Sequence, residues 1–169
     1  MKSLFAVTIL LAGAVWAQTS RADREFLKNA AEGGMDEVKL GQLAQSSGMS
    51  STVKRFGERM MTDHSKMGDQ VKSLADSKNI SLPTSVSVKD EASYKLLEMK
   101  HGDAFDKAYI SAMIKDHRAD IAMFQKEIDT GSDPDIKALA SQALPTLHEH
   151  LKLAEDAARE LGISTTTGE

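Results

Sequence analysis

Residues 51–78 read STVKRFGERMMTDHSKMGDQVKSLADSK, and their apolar side chains recur at Val53, Phe56, Met60, Met67, Val71 and Leu74, with Gly57 and His64 on the same stripe. Steps of three and four residues are the period of one helical face, not the alternation of a half-buried strand. Ser50 or Ser51 supplies an N-cap, and Leu82-Pro83, just past Asn79, forces extended chain. The spacing therefore predicts a helix over Ser51–Lys78 with a histidine on its inner face.

The same period continues on both sides. Upstream, Asp23–Ser46 carries Phe26, Ala30, Gly33, Glu37, Leu40 and Ala44 on one face and stops at Ser46-Ser47-Gly48. Downstream, Asp103–Asp129 carries Asp106, Ile110, Met113, His117, Ile121, Phe124 and Ile128. In Thr130-Gly131-Ser132-Asp133-Pro134 a glycine follows one helix, Asp133 caps the next and Pro134 takes its first position. The helix so begun, Pro134–Leu161, faces inward with Ile136, Ala140, Ala143, Leu147, His150, Ala154 and Ala158, and Pro145 predicts a kink or a join within it. Residues 79–102 form a long connection with a short helix, Lys89–Lys100, ended by His101-Gly102.

Four helices of roughly 24–28 residues are each about 40 Å long at 1.5 Å per residue. Short first and third connections make antiparallel hairpins, and the long middle one can run the length of both. The expected fold is all-α, a ferritin-like four-helix bundle of two hairpins joined by a crossover containing a short helix.

The 169 residues amount to one domain, with 41% apolar and 27% charged side chains. There is no cysteine, which excludes disulfides, thiolate metal sites, thiol nucleophiles and iron–sulfur clusters. A formal charge of −4 spread along the chain and 5% aromatic residues argue against nucleic-acid binding. Lys2, the apolar run Leu4–Val15 and Val15-Trp16-Ala17 read as a signal peptide over residues 1–17, removed before Gln18. That run, about 12 residues, falls short of the ~20 that span a bilayer, and no later segment is apolar enough. The mature chain is expected in the periplasm or cell envelope, with its bundle over residues 18–163, a polar disordered tail at 164–169 and no transmembrane span.

Each long helix has one potential metal ligand on its apolar stripe: Glu37, His64, His117 and His150. Counted from the helix starts, their heights agree to about 5 Å, so the four can meet in one layer. Burying such groups without partners costs a few kcal/mol each, which a shared metal or a hydrogen-bond network offsets. Imidazoles with a carboxylate suit zinc, iron, manganese or copper and not calcium or magnesium. Phe56-x3-Met60-Met61-x-Asp63-His64 repeats at an offset of 53 as Tyr109-x3-Met113-Ile114-x-Asp116-His117. Asp63 and Asp116 lie about 100° round from the histidines and are candidates to orient an imidazole on a neighbouring helix, or are solvated flank acids. Met60, Met67 and Met113 near the histidines would favour copper(I), but methionine is also an ordinary core filler. Asp106 and Tyr109 read as a first-turn acid and an aromatic at a packing seam. Gly33-Gly34, costly in a helix, suggests a close approach or a local bulge before Glu37.

Phe26 through Glu37-Val-Lys-Leu-Gly-Gln-Leu-Ala44, Phe56 to Asp63-His64, Phe105-Asp106-x-x-Tyr109 leading to Asp116-His117, and Leu144-Pro145-x-Leu147-x-x-His150-Leu151 together resemble the exported bacterial domain of unknown function 4142. The resemblance covers about Asp23 to Leu161 and implies a ferritin-like bundle in the cell envelope, without an established activity. Di-iron enzymes of ferritin type use Glu-x-x-His on inner helix faces, whereas the one here, Glu98-x-x-His101, falls in the crossover. Nothing else in the chain specifies an enzyme, and no nucleophile elbow is present. Two readings follow: a bundle that binds a transition metal for storage, buffering or stress response, or a metal-free bundle with a buried His/Glu network that acts through an envelope protein partner. The oligomeric state is left open.

Overall fold

The computed structural model describes residues 19–163. The expected signal peptide at 1–17 and tail at 164–169 lie outside the described residues. The described chain is all-helical: α1 (Arg21–Ser47), α2 (Ser51–Ser77), α3 (Val88–Glu98), α4 (Gly102–Thr130) and α5 (Pro134–Glu160). Each expected helix is present with its ends within two residues of expectation, and side chains cap the starts of α1, α2, α3 and α5. Ser20 closes a capping box with Asp23, Ser50 accepts from Thr52 N, and Asp133 accepts from Asp135 N and Ile136 N. Pro145 makes no join, since α5 runs unbroken from Pro134 to Glu160.

Contact pairs give the directions of the helices. In α1 and α2, Gly41 faces Gly57 and Gly34 faces His64, so the two run antiparallel. Between α1 and α4, Phe26 packs edge-on to Phe124 and Glu37 lies by His117, again antiparallel. Thr52 bonds Glu160 while Asp63 meets His150, which makes α2 and α5 antiparallel as well. The diagonal pair α2 and α4 runs parallel, with Phe56 on Tyr109 and His64 on His117. Residues 78–101, with α3 packed on α1 and α4, span the distance that parallel arrangement requires.

Glycine acts at one helix seam by its size. A Cβ on Gly41 would stand 2.6 Å from the Gly57 carbonyl, and one on Gly57 2.8 Å from Ala44 Cβ. The close approach expected at Gly33-Gly34 is not there: a Cβ on Gly33 meets nothing within 4 Å, and one on Gly34 only the His64 carbonyl at 4.0 Å.

The core is divided in two. One apolar cluster contains Leu40, Val53, Phe56, Met60, Phe105, Tyr109 and Met113, and the other Phe26, Leu27, Met67, Val71, Phe124, Ile136 and Leu147. Ile121 and Ile128, expected to face inward, are only partly buried, and Glu127 is buried in their place. Asp106, fully buried, accepts from Met49 N at 2.9 Å and Ser50 N at 2.7 Å, so it holds the α1–α2 turn and is not a first-turn acid. Asp23 does the same at the other end, accepting from Ser20 N at 3.0 Å and Ser132 N at 2.9 Å.

Candidate metal centre

Between the two apolar clusters lies a polar layer formed by His64 of α2, His117 of α4 and His150 of α5, all buried. Each occupies a stripe position, four residues after Met60, four after Met113 and three after Leu147, so the packing that buries the stripes also aims the imidazoles inward. Their ring centroids are 5.6 Å (His64–His117), 5.3 Å (His64–His150) and 5.3 Å (His117–His150) apart. One ring nitrogen from each lies within 4.8 Å of the other two.

The protons of two rings are committed elsewhere. His117 Nδ1 donates to the Met113 carbonyl at 2.9 Å, leaving Nε2 as the lone-pair nitrogen. His150 Nε2 donates to Asp63 Oδ2 at 2.8 Å, which leaves its Nδ1 as the lone-pair nitrogen. Those two lone-pair nitrogens face each other at 3.3 Å. His64 Nε2 is buried without any partner. Burial, reinforced by the charges of His117 and His150, pulls His64 down to about 3. Burial and His150 pull His117 down to about 4 against the support of the Met113 carbonyl, and burial also lowers His150 against the pull of Asp63. All three are thus neutral at ordinary pH, the form in which imidazole ligates metals.

Asp63 itself is held below the usual carboxylate range. Burial pushes it up, but the hydrogen bonds from Arg59 and His150 outweigh that. Arg59 also reaches Glu149 at 3.3 Å, so a charged chain closes the α2–α5 seam over His150. Of the paired sequence motifs, only Asp63 orients an imidazole on a neighbouring helix. Asp116 is partly buried on the α3 side, among Lys115, Asp90 and Lys89, and has no hydrogen bond to an imidazole. The offset of 53 aligns the two motifs along the chain, but α2 and α4 meet different neighbours.

Glu37 is in the layer but on the far side of His117. Its Oε1 stands 3.6 Å from His117 Nδ1, the nitrogen turned away from the other rings, and its Oε2 has no partner. Burial, then the charges of Asp120, Asp116 and Asp36, raises it well above the usual range. Nearby, burial raises Asp36 to about 6, helped by Asp90 and Asp116, and Asp120 to about 7, helped by Asp116. The Tyr109 hydroxyl, also without a partner, is raised by burial and by the charge of Glu37. Sequence reading missed Asp36 and Asp120. Asp120 stands three residues after His117, a helical step that was visible, but Ile121 filled the stripe on hydrophobicity.

Three neutral imidazoles with ring nitrogens within 4.8 Å of one another are a donor set that could hold a borderline transition metal. A model of a domain of unknown function, DUF4142, matches residues 11–157. The chain belongs to the DUF4142 family. The described fold of this DUF4142 chain is similar to two crystal structures of DUF305 proteins. One, a fragment from Deinococcus radiodurans, gives a TM-score of 0.74 at 15% identity, over 85% of this chain and 97% of that one. The other, described as a "putative secreted protein" from Streptomyces coelicolor, gives 0.72 at 17% identity, over 87% of this chain and 98% of that one. At such identities the likeness concerns the fold. No curated protein matches this DUF4142 chain. Among the described residues no helix is long and apolar enough to cross a membrane.

Proposed function

We propose that this DUF4142 protein binds a transition-metal ion through His64, His117 and His150 and holds it for storage, buffering or stress response in the periplasm or cell envelope. The observation that carries this reading is the pair of lone-pair nitrogens 3.3 Å apart, His117 Nε2 and His150 Nδ1, in a cluster that a ring nitrogen of His64 completes within 4.8 Å. Facing lone pairs repel, and a cation between them turns repulsion into ligation. With Glu37 turned away, the donors are three imidazoles, which suit zinc or copper better than iron or manganese. Two antiparallel hairpins joined by a crossover, with the site between apolar layers, support a ferritin-like bundle. The exported location rests on the leader-like segment at residues 1–17.

A second reading puts a proton where the metal would be. A doubly protonated His150 would donate to both Asp63 and His117 Nε2, completing a metal-free network, and such a protein would act through an envelope partner. Burial works against that imidazolium, because it lowers His150.

Elemental analysis of the untagged mature protein, purified from the periplasm beside a His64→Ala/His117→Ala double variant, tests the first reading. Expected is about one equivalent of metal per chain, absent from the variant. A metal-free wild type that takes up no ion on reconstitution would overturn it.

A further inference from the structure

Of the five helical glycines of α1 and α2, Gly33 has no neighbour within 4 Å, and the other four fall into two kinds. Gly41 and Gly57 are required by contact, but Gly34 and Gly68 are not: a Cβ at Gly68 meets nothing within 4 Å, and at Gly34 only the His64 carbonyl at 4.0 Å. Alanine would fit at both and favours a helix more strongly, so close packing does not explain the glycines. What they border is empty space. From the Gly41–Gly57 pinch the two helices part into a cleft of about 1530 Å³, lined by Gly34, Gly68 and Ala31, roofed by Ile80, Leu82 and the rest of the crossover arm, and reaching His64.

Paired side chains bridge the other seams around the histidine layer, and the groove between α2 and α5 does not reach a histidine. Asp63, Arg59 and Glu149 bridge the α2–α5 seam over His150. Glu37 stands behind His117 at the α1–α4 seam, and Arg118 bonds Glu155 at 2.8 Å across α4 and α5. His64 is the one member of the triad that lines this cleft, and it is also the one whose Nε2 has no partner.

We propose that the cleft between Gly34 and Gly68 is the port of the three-histidine centre, through which a divalent ion and small donor ligands enter and leave past His64. This rests on the metal-binding reading above and adds a route to it. A port controls rates in both directions and leaves the equilibrium alone, which separates it from any structural effect on the site itself.

The test follows cobalt(II) uptake by the mature full chain in a stopped-flow spectrometer, and its extraction by excess chelator, in wild type, Gly68→Leu and Gly34→Ala. Thr62→Leu, in the separate groove between α2 and α5, is the control. A Cβ at Gly68 meets nothing within 4 Å and the position lines the cleft, and an unchanged circular dichroism spectrum and Tm of Gly68→Leu check that the fold is kept. Its uptake and extraction should both slow by about tenfold or more, with the equilibrium affinity within about twofold of wild type. Gly34→Ala should slow both less, and Thr62→Leu should match wild type. Unchanged rates in Gly68→Leu, or equal slowing by Thr62→Leu, overturn the port while the metal site stands. A wild type that binds neither cobalt nor zinc overturns the metal reading and the port with it.

Discussion

Replacing Asp106 with alanine should destabilise the protein more than any single change on its surface. The carboxylate is fully buried and accepts two backbone N–H groups, from Met49 at 2.9 Å and Ser50 at 2.7 Å, that open the α1–α2 turn. A hydrogen bond to a charged group is worth about 1.5–3 kcal/mol net. Two of them give roughly 3–6 kcal/mol, but Met49 is 65% exposed and water can reach its N–H once the carboxylate is gone. The expected loss is therefore about 2–4 kcal/mol. Asp106→Asn keeps one oxygen acceptor in the same shape and should lose roughly half as much. Urea unfolding followed by circular dichroism at 222 nm, with the slope m unchanged, reads the difference directly. At about 3 °C per kcal/mol for a domain of this size, Tm should fall by roughly 6–12 °C in the alanine variant. An Asp106→Ala protein within 1 kcal/mol of wild type would show that the turn is held by something other than this carboxylate.

Three further outcomes are expected. Gly41→Ala, whose Cβ would stand 2.6 Å from the Gly57 carbonyl, should cost about 1–2 kcal/mol, while Gly68→Ala should stabilise by up to ~1 kcal/mol; opposite signs in paired urea titrations check this. Asp120, raised to about 7 by burial and by Asp116, binds its proton more tightly folded than unfolded, so stability should fall as pH rises from about 4 to 7. Asp120→Asn should remove roughly 2–4 kcal/mol of that fall, and a parallel pH profile for the two proteins would contradict the assignment. Asp63→Asn, which weakens the acceptor of the 2.8 Å bond from His150 Nε2, should lower metal affinity about 10–100-fold in a chelator competition, whereas a solvated flank acid would leave it unchanged.

The fold was largely legible in the chain because its signals are local. Periods of three and four residues, the caps Ser50 and Asp133, and the breaks at Gly48, Gly131 and Pro134 act within a few residues of where they stand, so five helices and their ends follow from short windows of sequence. The site was legible in part for the same reason. A histidine on an apolar stripe must enter the core, and matched heights brought His64, His117 and His150 together.

What the chain could not specify by itself depends on how the helices turn about their axes. A rotation of one residue is about 100°, enough to decide that Glu37 stands behind His117 and outside the converging nitrogens, or that Asp63 meets His150 while Asp116 meets none of the three rings. The stripe put Asp106 inward, but its role, like the burial of Asp23, was hidden because each serves backbone groups of a distant turn. The glycines show the division most plainly: in sequence all lower helix propensity alike, and only tertiary packing separates Gly41 and Gly57, where two backbones touch, from Gly34 and Gly68, where a cleft lies open. Local periodicity settles which face of a helix is buried, and only the assembled helices settle which atoms meet there.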